Sequence, residues 1–480
     1  MTELVPEADL RPAAAGGAGH GVKLPFGAVC WALFEGGRNP FVILITIYIF
    51  MPYFASVVVG DPVRGQEAVA AYGQYSGWIV MATAPLLGAS IDKFGRRKGW
   101  LALVCLLLAG LNASLWFTTP DGKGLSVTAV IVLATATSVL FPYTEVLHNS
   151  LLVRAAGLKA AHKASALALA LGNAFSLVTL GYVAWAFALP GHVDWGWVPK
   201  APLFGLSQAL HEPDRIVAPM ASVVFAICAI PLFLFTPDAP PTQTPVLRAI
   251  GSGAAELWRT IVGMGRYRDA AVYLVARMFY YDGMTAILFF AGVYASGVMH
   301  WSSLTMLFYG LILTVVAVFG GFVGGMLDAA LGPKRALQLE IFMSLVGITA
   351  LLGMAPDRIL FLWRYDPAAH APLWNGPFFR TLPEIVFLLI GFFNATFITA
   401  QYASSRTMLT RVTPPEQSGT FFGLYAVSSS ATLWLGSFMV NLGTHIFKTQ
   451  QGGFAMISIL LAVGLIGLFF VRGDGRLAKG

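Results

Sequence analysis

The chain has 480 residues, of which 57% are hydrophobic and 11% charged, and its formal net charge is +7. A soluble domain carries about 25% charged residues, so this deficit excludes a globular protein with an ordinary wetted surface. Mean hydropathy is +0.72, and long apolar runs recur, each able to cross ~30 Å of hydrocarbon. The sequence therefore predicts an all-α, polytopic membrane protein, and the bases are expected to set its orientation, with no nucleic-acid partner.

Residues 1–22 precede the first apolar run and lack the basic-then-apolar order of a cleaved signal. We expect a disordered N-terminal tail there. Twelve transmembrane helices, called spans 1 to 12 below, are then predicted in chain order. They lie near 27–58, 72–91, 99–118, 126–153, 163–189, 216–236, 270–298, 303–328, 336–355, 383–405, 418–446 and 453–471.

The basic residues are distributed unevenly between the two sides of this arrangement. With twelve spans both termini share one side, and that side holds 20 of the 30 Lys and Arg residues, against 8 on the other. Cytoplasmic loops carry the excess of Lys and Arg. The pattern predicts that both termini are cytoplasmic, and the alanine- and glycine-rich composition favours a bacterial inner membrane.

An internal repeat divides the spans into two groups of six. Gly88 and Asp92, in GASIDKFGRRKG after span 2, match Gly324 and Asp328, in GFVGGMLDAALGPKR after span 8. A second match relates Phe34-Glu35-Gly36 to Tyr281-Asp282-Gly283. Such repeats are typical of transporters. We predict six-helix bundles at 23–236 and 269–472, a cytoplasmic linker at 237–268, and a C-terminal tail at 473–480.

The hairpin resembles the signature of the major facilitator superfamily, G-x-x-x-D-R-x-G-R-R. WALFEGGRNPF in span 1, FYYDGMTAILFFAGVYASGV in span 7 and SSRTMLTRVTPPEQSGTFFGLY before span 11 resemble its vacuole effluxer-like branch, which is named for a yeast vacuolar amino-acid exporter. The sequence departs from the pattern at three positions. Lys93 and Ala329 replace the usual Arg in the two hairpins, and Glu35 stands where the branch tends to carry Asp.

The resemblance implies a twelve-helix major facilitator fold in which the hairpins act as a cytoplasmic latch. Glycines allow close helix approach, and carboxylates can accept hydrogen bonds from helix N-termini or pair with bases across the two halves. A tight turn that only fixes topology is the simpler alternative. The candidate gate residues are Gly88, Asp92, Gly95, Arg96, Arg97, Gly324 and Asp328.

Ionisable side chains also occur inside the predicted spans, where each charge costs about 2.5–3.5 kcal/mol. Glu35 lies 12 residues after Lys23, and Glu145 lies 9 before Arg154. Counted with Arg277, these groups fall roughly 14–18 Å inside the membrane at 1.5 Å per residue. A shared polar cavity explains one depth on three helices. By contrast, Glu340 and Glu384 fall near span ends and are expected at the interface.

The candidate substrate and ion-coupling residues follow from this pattern. Glu35 and Arg38, and likewise Glu145 and His148, are three residues apart on one helix face. The simpler alternatives are that Glu35 and Arg38 form a structural ion pair, and that His148 is a hydrogen-bonded interior histidine. The resemblance implies that spans 1, 4, 7 and 10 line the cavity. The candidates are Glu35, Arg38, Glu145, His148, Arg277, Asp282, Asn394 and Gln401.

Other chemistry finds little support in the sequence. There is no GxxxxGK[ST] phosphate loop and no HExxH metal motif. The cysteines are single and lie in apolar runs, so we expect no disulfide, metal or cofactor. EGGRNP in span 1 predicts a kink at Pro40, with a functional hinge as the alternative.

The sequence thus predicts no enzyme but a secondary transporter that moves a small polar or zwitterionic solute by alternating access. It is expected to act as a monomer. Its expected partners are that solute, the lipid bilayer and a coupling ion, namely the proton, with sodium as the alternative. Three alternatives remain open: a sodium-coupled sugar symporter, an exporter of lipids or amphiphiles that uses cavity aromatics (Phe34, Tyr143, Tyr280, Tyr281), and a transporter-like receptor.

Overall fold

The computed structural model describes residues 23–91, 95–240, 245–263, 266–413 and 418–472. Within these ranges the chain is almost entirely helical, which confirms the predicted fold class. The first six spans are Phe26–Val58, Pro62–Ser90, Lys98–Ser114, Val127–Asn149, Leu152–Val183 and Val217–Phe235. The second six are Arg268–Val298, Ser303–Leu331, Pro333–Leu352, Leu382–Val412, the pair Ser418–Ala431 and Leu435–Phe447, and the pair Gln450–Ala455 and Ile457–Phe469.

Ten helices in the described ranges are long and apolar enough to cross a membrane by composition alone. Spans 2 and 11 do not reach that threshold, and both line the central cavity described below. Polar and small residues on a cavity-facing helix lower its mean hydropathy without exposing those residues to lipid. The two weakest hydropathy signals therefore mark helices that face water inside the protein.

Span 2 begins about three turns earlier than predicted, at Pro62, so the expected loop over residues 60–71 is wrong. The side chain of Asp61 accepts a hydrogen bond from the backbone N–H of Arg64 at 2.8 Å. Asp is a favoured N-cap, and proline is well suited to the first helical position that follows it. Local capping at Asp61-Pro62 starts the helix in a stretch whose hydropathy indicates a loop.

Two elements of the connecting segments were not predicted. The linker contains a helix, Val246–Gly263, and Gly253 of this helix lies against the backbone of Ala89 at the end of span 2. The connection between spans 9 and 10 contains a short antiparallel pair, β1 (Arg358–Ile359) and β2 (Trp363–Arg364). Strands of two residues carry no periodicity that a sequence could reveal.

Span 1 is distorted at its middle, as the proline predicts. The α-helix Phe26–Phe41 contains Pro40 and continues as a wider π-helical segment, Val42–Tyr48, which ends at Ile49 with φ −122° and ψ −68°. Proline lacks an N–H and its ring crowds the preceding turn, so the helix cannot continue undisturbed. The distortion begins within one turn of Arg38.

A matched pair of contacts repeats in the two halves. Lys98, the first residue of span 3, donates from Nζ to the carbonyl of Phe233 at the end of span 6 at 3.0 Å. Lys334, 236 positions later at the start of span 9, donates to the carbonyl of Val471 after span 12 at 2.6 Å. The same offset relates Gly88 to Gly324. In each half a lysine thus neutralises the carbonyl end of the last helix.

Asp238, just after span 6, caps span 3 from outside that helix. Its Oδ1 accepts hydrogen bonds from the backbone N–H groups of Arg97 at 2.9 Å and Lys98 at 3.3 Å. We expect Asp238→Ala to lower the free energy of unfolding by about 1 kcal/mol, the usual value of a lost cap. Thermal unfolding in detergent would measure this, with Asp194→Ala, at an exposed position, as the control. Equal stability of the two variants would contradict the capping role.

The two halves meet most closely at the end opposite the span 2–3 hairpin, which we call the far end. Span 2 packs there on span 11: Gln66 Nε2 donates to Thr444 Oγ1 at 2.8 Å, and Asn441 Nδ2 donates to Gln74 Oε1 at 3.2 Å. Closer to the centre, Gly77 lies directly against the backbone of Trp434. These contacts close the far end in this conformation. The opposite end, where the hairpin lies, is called the hairpin end below.

Candidate functional site

Arg38 of span 1 is held between two carboxylates. Its Nη1 lies 3.3 Å from both carboxylate oxygens of Glu35, one turn earlier, and its Nη2 donates to Glu145 Oε2 of span 4 at 2.7 Å. Nε donates to Thr144 Oγ1 at 3.3 Å, and the guanidinium carbon lies 4.1 Å from the centre of the Phe141 ring. The structure therefore joins the charges of spans 1 and 4 into one cluster.

His148 completes this cluster from the buried side. Its ring stacks between Trp31 and Phe34, with centroid distances of 4.3 and 4.4 Å, and it is fully buried. Nε2 lies 2.8 Å from the carbonyl oxygen of Trp31, so Nε2 carries the proton and donates it. Nδ1 faces Glu35 Oε1 at 3.4 Å, beyond a normal hydrogen bond.

This geometry leaves room for one further proton. With Nε2 protonated, a neutral His148 presents the lone pair of Nδ1 to a Glu35 carboxylate, which can only accept. A proton added to either atom converts two opposed acceptors into a donor and an acceptor. The reciprocal bond from Trp31 Nε1 to the carbonyl of His148, at 2.8 Å, fixes both helices while this occurs. The sequence does not reveal this role of Trp31, because the side chains of Trp31 and His148 each bond to a backbone carbonyl, which every residue carries.

A cavity of about 830 Å³ lies between the halves and reaches the hairpin end. Spans 2, 4, 7 and 11 line it, together with Leu257 of the linker helix. Glu145 is the only charged residue among its described lining residues, and its side chain is 53% exposed. Arg38 and Glu35 lie behind it, with side-chain exposures of 10% and 20%. Water and solutes in the cavity therefore reach the cluster through Glu145.

Arg277 of span 7 lies behind the opposite wall of the same cavity. Its Nη1 donates to Ser428 Oγ at 2.6 Å and to Ser429 Oγ at 2.8 Å, and its guanidinium carbon lies 4.3 Å from the Tyr281 ring centre. Ser429 and Tyr281 line the cavity, whereas Arg277 is 1% exposed. No carboxylate lies within 4 Å of Arg277 in the described part of the chain. Its positive charge therefore acts on the cavity through two hydroxyl groups and an aromatic face.

Asp282 does not join this cavity, contrary to the prediction. It is 2% exposed, and its Oδ2 accepts a hydrogen bond from the backbone N–H of Gly436 at 2.5 Å. Gly436 lies in the first turn of Leu435–Phe447, after the break in span 11. The positive end of that half-helix stabilises the acid. Asp282 is five residues from Arg277, or about 140° around the helix, so the two side chains face different neighbours.

Asn394 and Gln401 of span 10 also lie outside the cavity, so this part of the prediction is wrong. Asn394 is 4% exposed and packs against Gly347 of span 9, and Gln401 is fully buried, with Nε2 donating to Ser344 Oγ of span 9 at 2.6 Å. Span 10 turns these polar groups into its own half because span 9 offers small residues that accommodate them. The resemblance implies that span 10 lies at the cavity, but it does not indicate which face of the helix points there.

The two acids expected at the interface differ. Glu384 does lie at the start of span 10, where its Oε2 accepts from the backbone N–H of Thr381 at 2.9 Å in a capping box. Glu340 is instead fully buried between spans 9 and 10, although it is only seven residues after Pro333. Distance along a helix indicates how deep a residue lies in the membrane, but the packing of neighbouring helices determines whether its side chain is exposed.

The candidate gate residues are only partly described. Asp92 lies outside the described residues. Gly88 lines the cavity, with no atom within 4 Å of the place a Cβ would take, whereas Gly324 packs against Ala400 of span 10 within its own half. Neither glycine therefore joins the two halves in this conformation.

The remaining gate residues differ in exposure. Gly95 has φ +72°, as a tight turn requires. Arg96 is exposed, and Arg97 is buried and donates from Nη1 to the carbonyl of Ser150 at 2.5 Å. Asp328 Oδ1 is buried and has no hydrogen-bond partner among the described residues. The hairpin is thus fixed to spans 4 and 6 of its own half.

Solved structures with the same architecture support the fold. A mutant of the nucleoside transporter NupG aligns with a TM-score of 0.62 at 11% identity, covering 94% of this chain and 100% of that one. The inward-open xylose transporter XylE from E. coli aligns at 0.59 with 12% identity, covering 93% and 96%. At these identities the likeness shows the fold alone, and it confirms twelve spans in two six-helix repeats.

Sequence comparison identifies the relatives. Autophagy-related protein 22 of Saccharomyces cerevisiae strain S288c is 22% identical over 205 residues, which are 41% of this chain and 34% of that protein. Autophagy-related protein 22-2 of Emericella nidulans is 24% identical over 231 residues, 48% of this chain and 36% of that protein. The matches thus span about a third of the length of these relatives.

A family profile described as "Vacuole effluxer Atg22 like" matches residues 203–476. This range covers more than half of the chain, includes all six spans of the second repeat, and agrees with the resemblance of spans 7 and 11 given above. The chain belongs to the Atg22-like vacuole effluxer family.

Proposed function

We propose that the protein is a secondary transporter that moves a small zwitterionic solute by alternating access, in exchange for a proton. The two rigid units would be the bundles 23–236 and 269–472, joined by the linker 237–268. The observation that carries the proposal is the exposed Glu145 carboxylate in a cavity between the two bundles, tied through Arg38 to a buried acid and histidine. Nucleoside and xylose transporters share the fold, and effluxers share the family.

The charges on the two walls favour a solute with both an ammonium and a carboxylate group. On the first wall, Glu35, Arg38 and Glu145 carry one net negative charge when His148 is neutral, and Glu145 presents it to the cavity. On the second wall, Arg277 adds positive charge behind Ser429 and Tyr281. An α-amino acid fits both walls, with its ammonium at Glu145 and its carboxylate at the hydroxyl groups.

The cluster also supports proton exchange. One proton at the Glu35–His148 pair cancels the net negative charge of the cluster. Glu35 then competes less strongly for Arg38, because its charge is neutralised or offset by His148, and Arg38 neutralises Glu145 more fully. Glu145 therefore attracts an ammonium group less strongly. Proton and solute would therefore compete for the same charge, which is the requirement for exchange rather than cotransport.

We further propose that the hairpin end faces the cytoplasm, as the excess of bases there favours, and that the protein acts as a monomer in a bacterial inner membrane. In the described conformation the cavity would then be open to the cytoplasm and closed at the far end. Glycosylation-independent topology mapping with reporters at both termini would test this orientation.

The proposal predicts a specific effect of Glu145→Gln. We expect the apparent affinity for a transported amino acid to fall about 10- to 100-fold, the value of a lost hydrogen bond to a charged group, while the protein remains folded. Uptake driven by a pH gradient in liposomes would measure it. Glu67→Gln, a far-end acid with a side chain 30% exposed, is the matched control. Unchanged affinity in Glu145→Gln would refute the role of this carboxylate.

The substrate class can be tested before any transport assay. A thermal-shift screen would compare amino acids with the corresponding amines, which lack the carboxylate, and the corresponding acids, which lack the ammonium. We expect stabilisation only by the zwitterions, and loss of that stabilisation in Glu145→Gln. Stabilisation by the acids alone would show that Arg277 rather than Glu145 selects the solute.

The same preparation separates the alternatives. Flux that follows sodium and not pH would favour the sugar symporter, and ligand binding without flux would favour the receptor. The amphiphile exporter has weaker support in the structure, because only Tyr281 of the four candidate aromatics lines the described cavity. Phe34 and Tyr280 are fully buried elsewhere.

A further inference from the structure

A second buried polar cluster lies outside the cavity, between spans 9 and 10. It consists of Glu340 and Ser344 on span 9 and Gln401 and Ser404 on span 10, and all four are fully buried. Each pair is spaced by three or four residues, so each occupies one face of its helix. We call these four residues the span 9–10 cluster. The transport site described above uses none of them.

The hydrogen bonds of the span 9–10 cluster leave acceptors without donors. Ser404 Oγ donates to Glu340 Oε1 at 2.8 Å, and Gln401 Nε2 donates to Ser344 Oγ at 2.6 Å and to the backbone carbonyl of Glu340 at 3.3 Å. Glu340 Oε2 and Gln401 Oε1 are buried and have no partner among the described residues. An ionised carboxylate only accepts, so it cannot satisfy this excess of acceptors.

The surrounding charges do not compensate an ionised Glu340. In the described residues no Lys, Arg or His nitrogen lies within 4 Å of its carboxylate. Lys334 on the same helix donates instead to the carbonyl of Val471, and Arg406 of span 10 is exposed. Asp328, at the end of the neighbouring span 8, carries the same charge sign, and its buried Oδ1 has no hydrogen-bond partner within the described part of the chain.

The other described elements that pack near Glu340 supply no counter-charge either. Span 12 packs on span 9 with Ile457–Phe469, which contains no titratable side chain. Span 7 turns the hydroxyl groups of Tyr273 and Tyr280 to Ser405, the neighbour of Ser404. A buried ion without a partner is strongly unfavourable, so Glu340 requires a positively charged ligand of its own.

We propose that this ligand is a proton: Glu340 is a proton-binding carboxyl in the second bundle, separate from the transport cavity. The bound proton supplies the donor that the span 9–10 cluster lacks, and the neutral acid fits a site without counter-charge. The inference concerns the charge state of one buried group, so it stands or fails independently of the substrate and the exchange mechanism proposed above.

Infrared spectroscopy of the purified protein tests this directly. We expect the carbonyl stretching band of a protonated, buried carboxyl at neutral pH, lost in Glu340→Gln and kept in Glu384→Gln, the control at the half-buried start of span 10. Ser404→Ala should shift the band, because it removes the hydrogen bond to Oε1, and this variant keeps the test decisive if Glu340→Gln does not fold. A band that is unchanged in both Glu340→Gln and Ser404→Ala would overturn the proposal. A band that appears only when sodium is withdrawn would also overturn it, in favour of a bound cation.

Thermal unfolding provides an independent readout. A carboxyl that is neutral when folded and ionised when unfolded releases a proton on unfolding, so stability falls as pH rises above about 4.3. The unfolding equilibrium constant of the wild type should rise up to tenfold per pH unit relative to that of Glu340→Gln. Parallel pH profiles of the two proteins would show that Glu340 is already ionised in the folded state, against the proposal.

Discussion

Arg38→Met is expected to lower the free energy of unfolding by about 3 kcal/mol, because it leaves two carboxylates at mid-membrane without their shared partner. Breaking a buried ion pair by removing one member costs about 3–5 kcal/mol. The lower end applies here, since the Glu145 side chain is 53% exposed and recovers much of its hydration. Glu35 is 20% exposed and carries most of the loss.

A second variant separates charge from packing. Glu35→Gln combined with Arg38→Met removes the more buried of the two uncompensated charges and keeps side chains of similar volume, so we expect the double variant to regain most of the lost stability. Thermal unfolding in detergent would compare both with Arg64→Met, at an exposed position on span 2, which should match the wild type. If the double variant were no more stable than Arg38→Met, the loss would come from the contact with Phe141 and not from the ion pairs.

Function should respond differently from stability. The double variant removes both the shared arginine and the acid that faces His148 Nδ1, so uptake is expected to lose its dependence on the pH gradient even where folding is restored. A protein that folds and still exchanges solute for protons without Glu35 and Arg38 would place the coupling site elsewhere in the chain.

The sequence was sufficient to predict which charges cluster on the first wall. The spacing of Glu35 and Arg38, and of Glu145 and His148, places each pair on one helix face, and equal depth brought spans 1 and 4 to one level. The structure shows those four residues in contact. A charged side chain inside a membrane is stabilised by pairing with an opposite charge, and few ionisable residues lie at that depth.

The rotation of each helix about its axis could not be predicted in the same way. Spans 7, 9 and 10 carry apolar side chains on every face, so the hydropathy pattern does not indicate which face of each helix meets the cavity. The sequence therefore predicts Asp282 at the cavity, although it binds the first turn of the half-helix Leu435–Phe447. It predicts Glu340 at the interface, although neighbouring helices cover it completely. These positions depend on tertiary packing, which one sequence does not reveal.

The far end offers the second large effect, because Gly77→Leu is expected to open it. At Gly77 a Cβ would lie inside van der Waals contact with the backbone of Trp434, and a backbone cannot rotate away as a side chain can. Overpacking of this kind costs about 1–3 kcal/mol, which shifts a two-state equilibrium about 5- to 150-fold. The cost falls only on the conformation with spans 2 and 11 in contact, so the opposite conformation gains in population.

Thiol labelling would measure this shift. Ser430→Cys places a reporter in the cavity lining, and the three native cysteines are buried. We expect a membrane-impermeant reagent to reach the reporter from the hairpin end in the parent protein, and from the far end once Gly77→Leu is added.

Gly88→Leu is the matched control, on the same helix and with the same substitution. No atom lies within 4 Å of its Cβ position, so the described conformation accommodates the side chain, and labelling should stay at the hairpin end. If Gly77→Leu folds but leaves labelling at the hairpin end, the contact between spans 2 and 11 does not hold the far end closed. If both leucine variants shift labelling to the far end, crowding anywhere on span 2 suffices, and the close approach at Trp434 has no special role. If Gly77→Leu moves labelling to the far end and Gly88→Leu leaves it at the hairpin end, span 2 closes the far end through Gly77 and leaves the hairpin end open in this conformation. No other combination of results shows this.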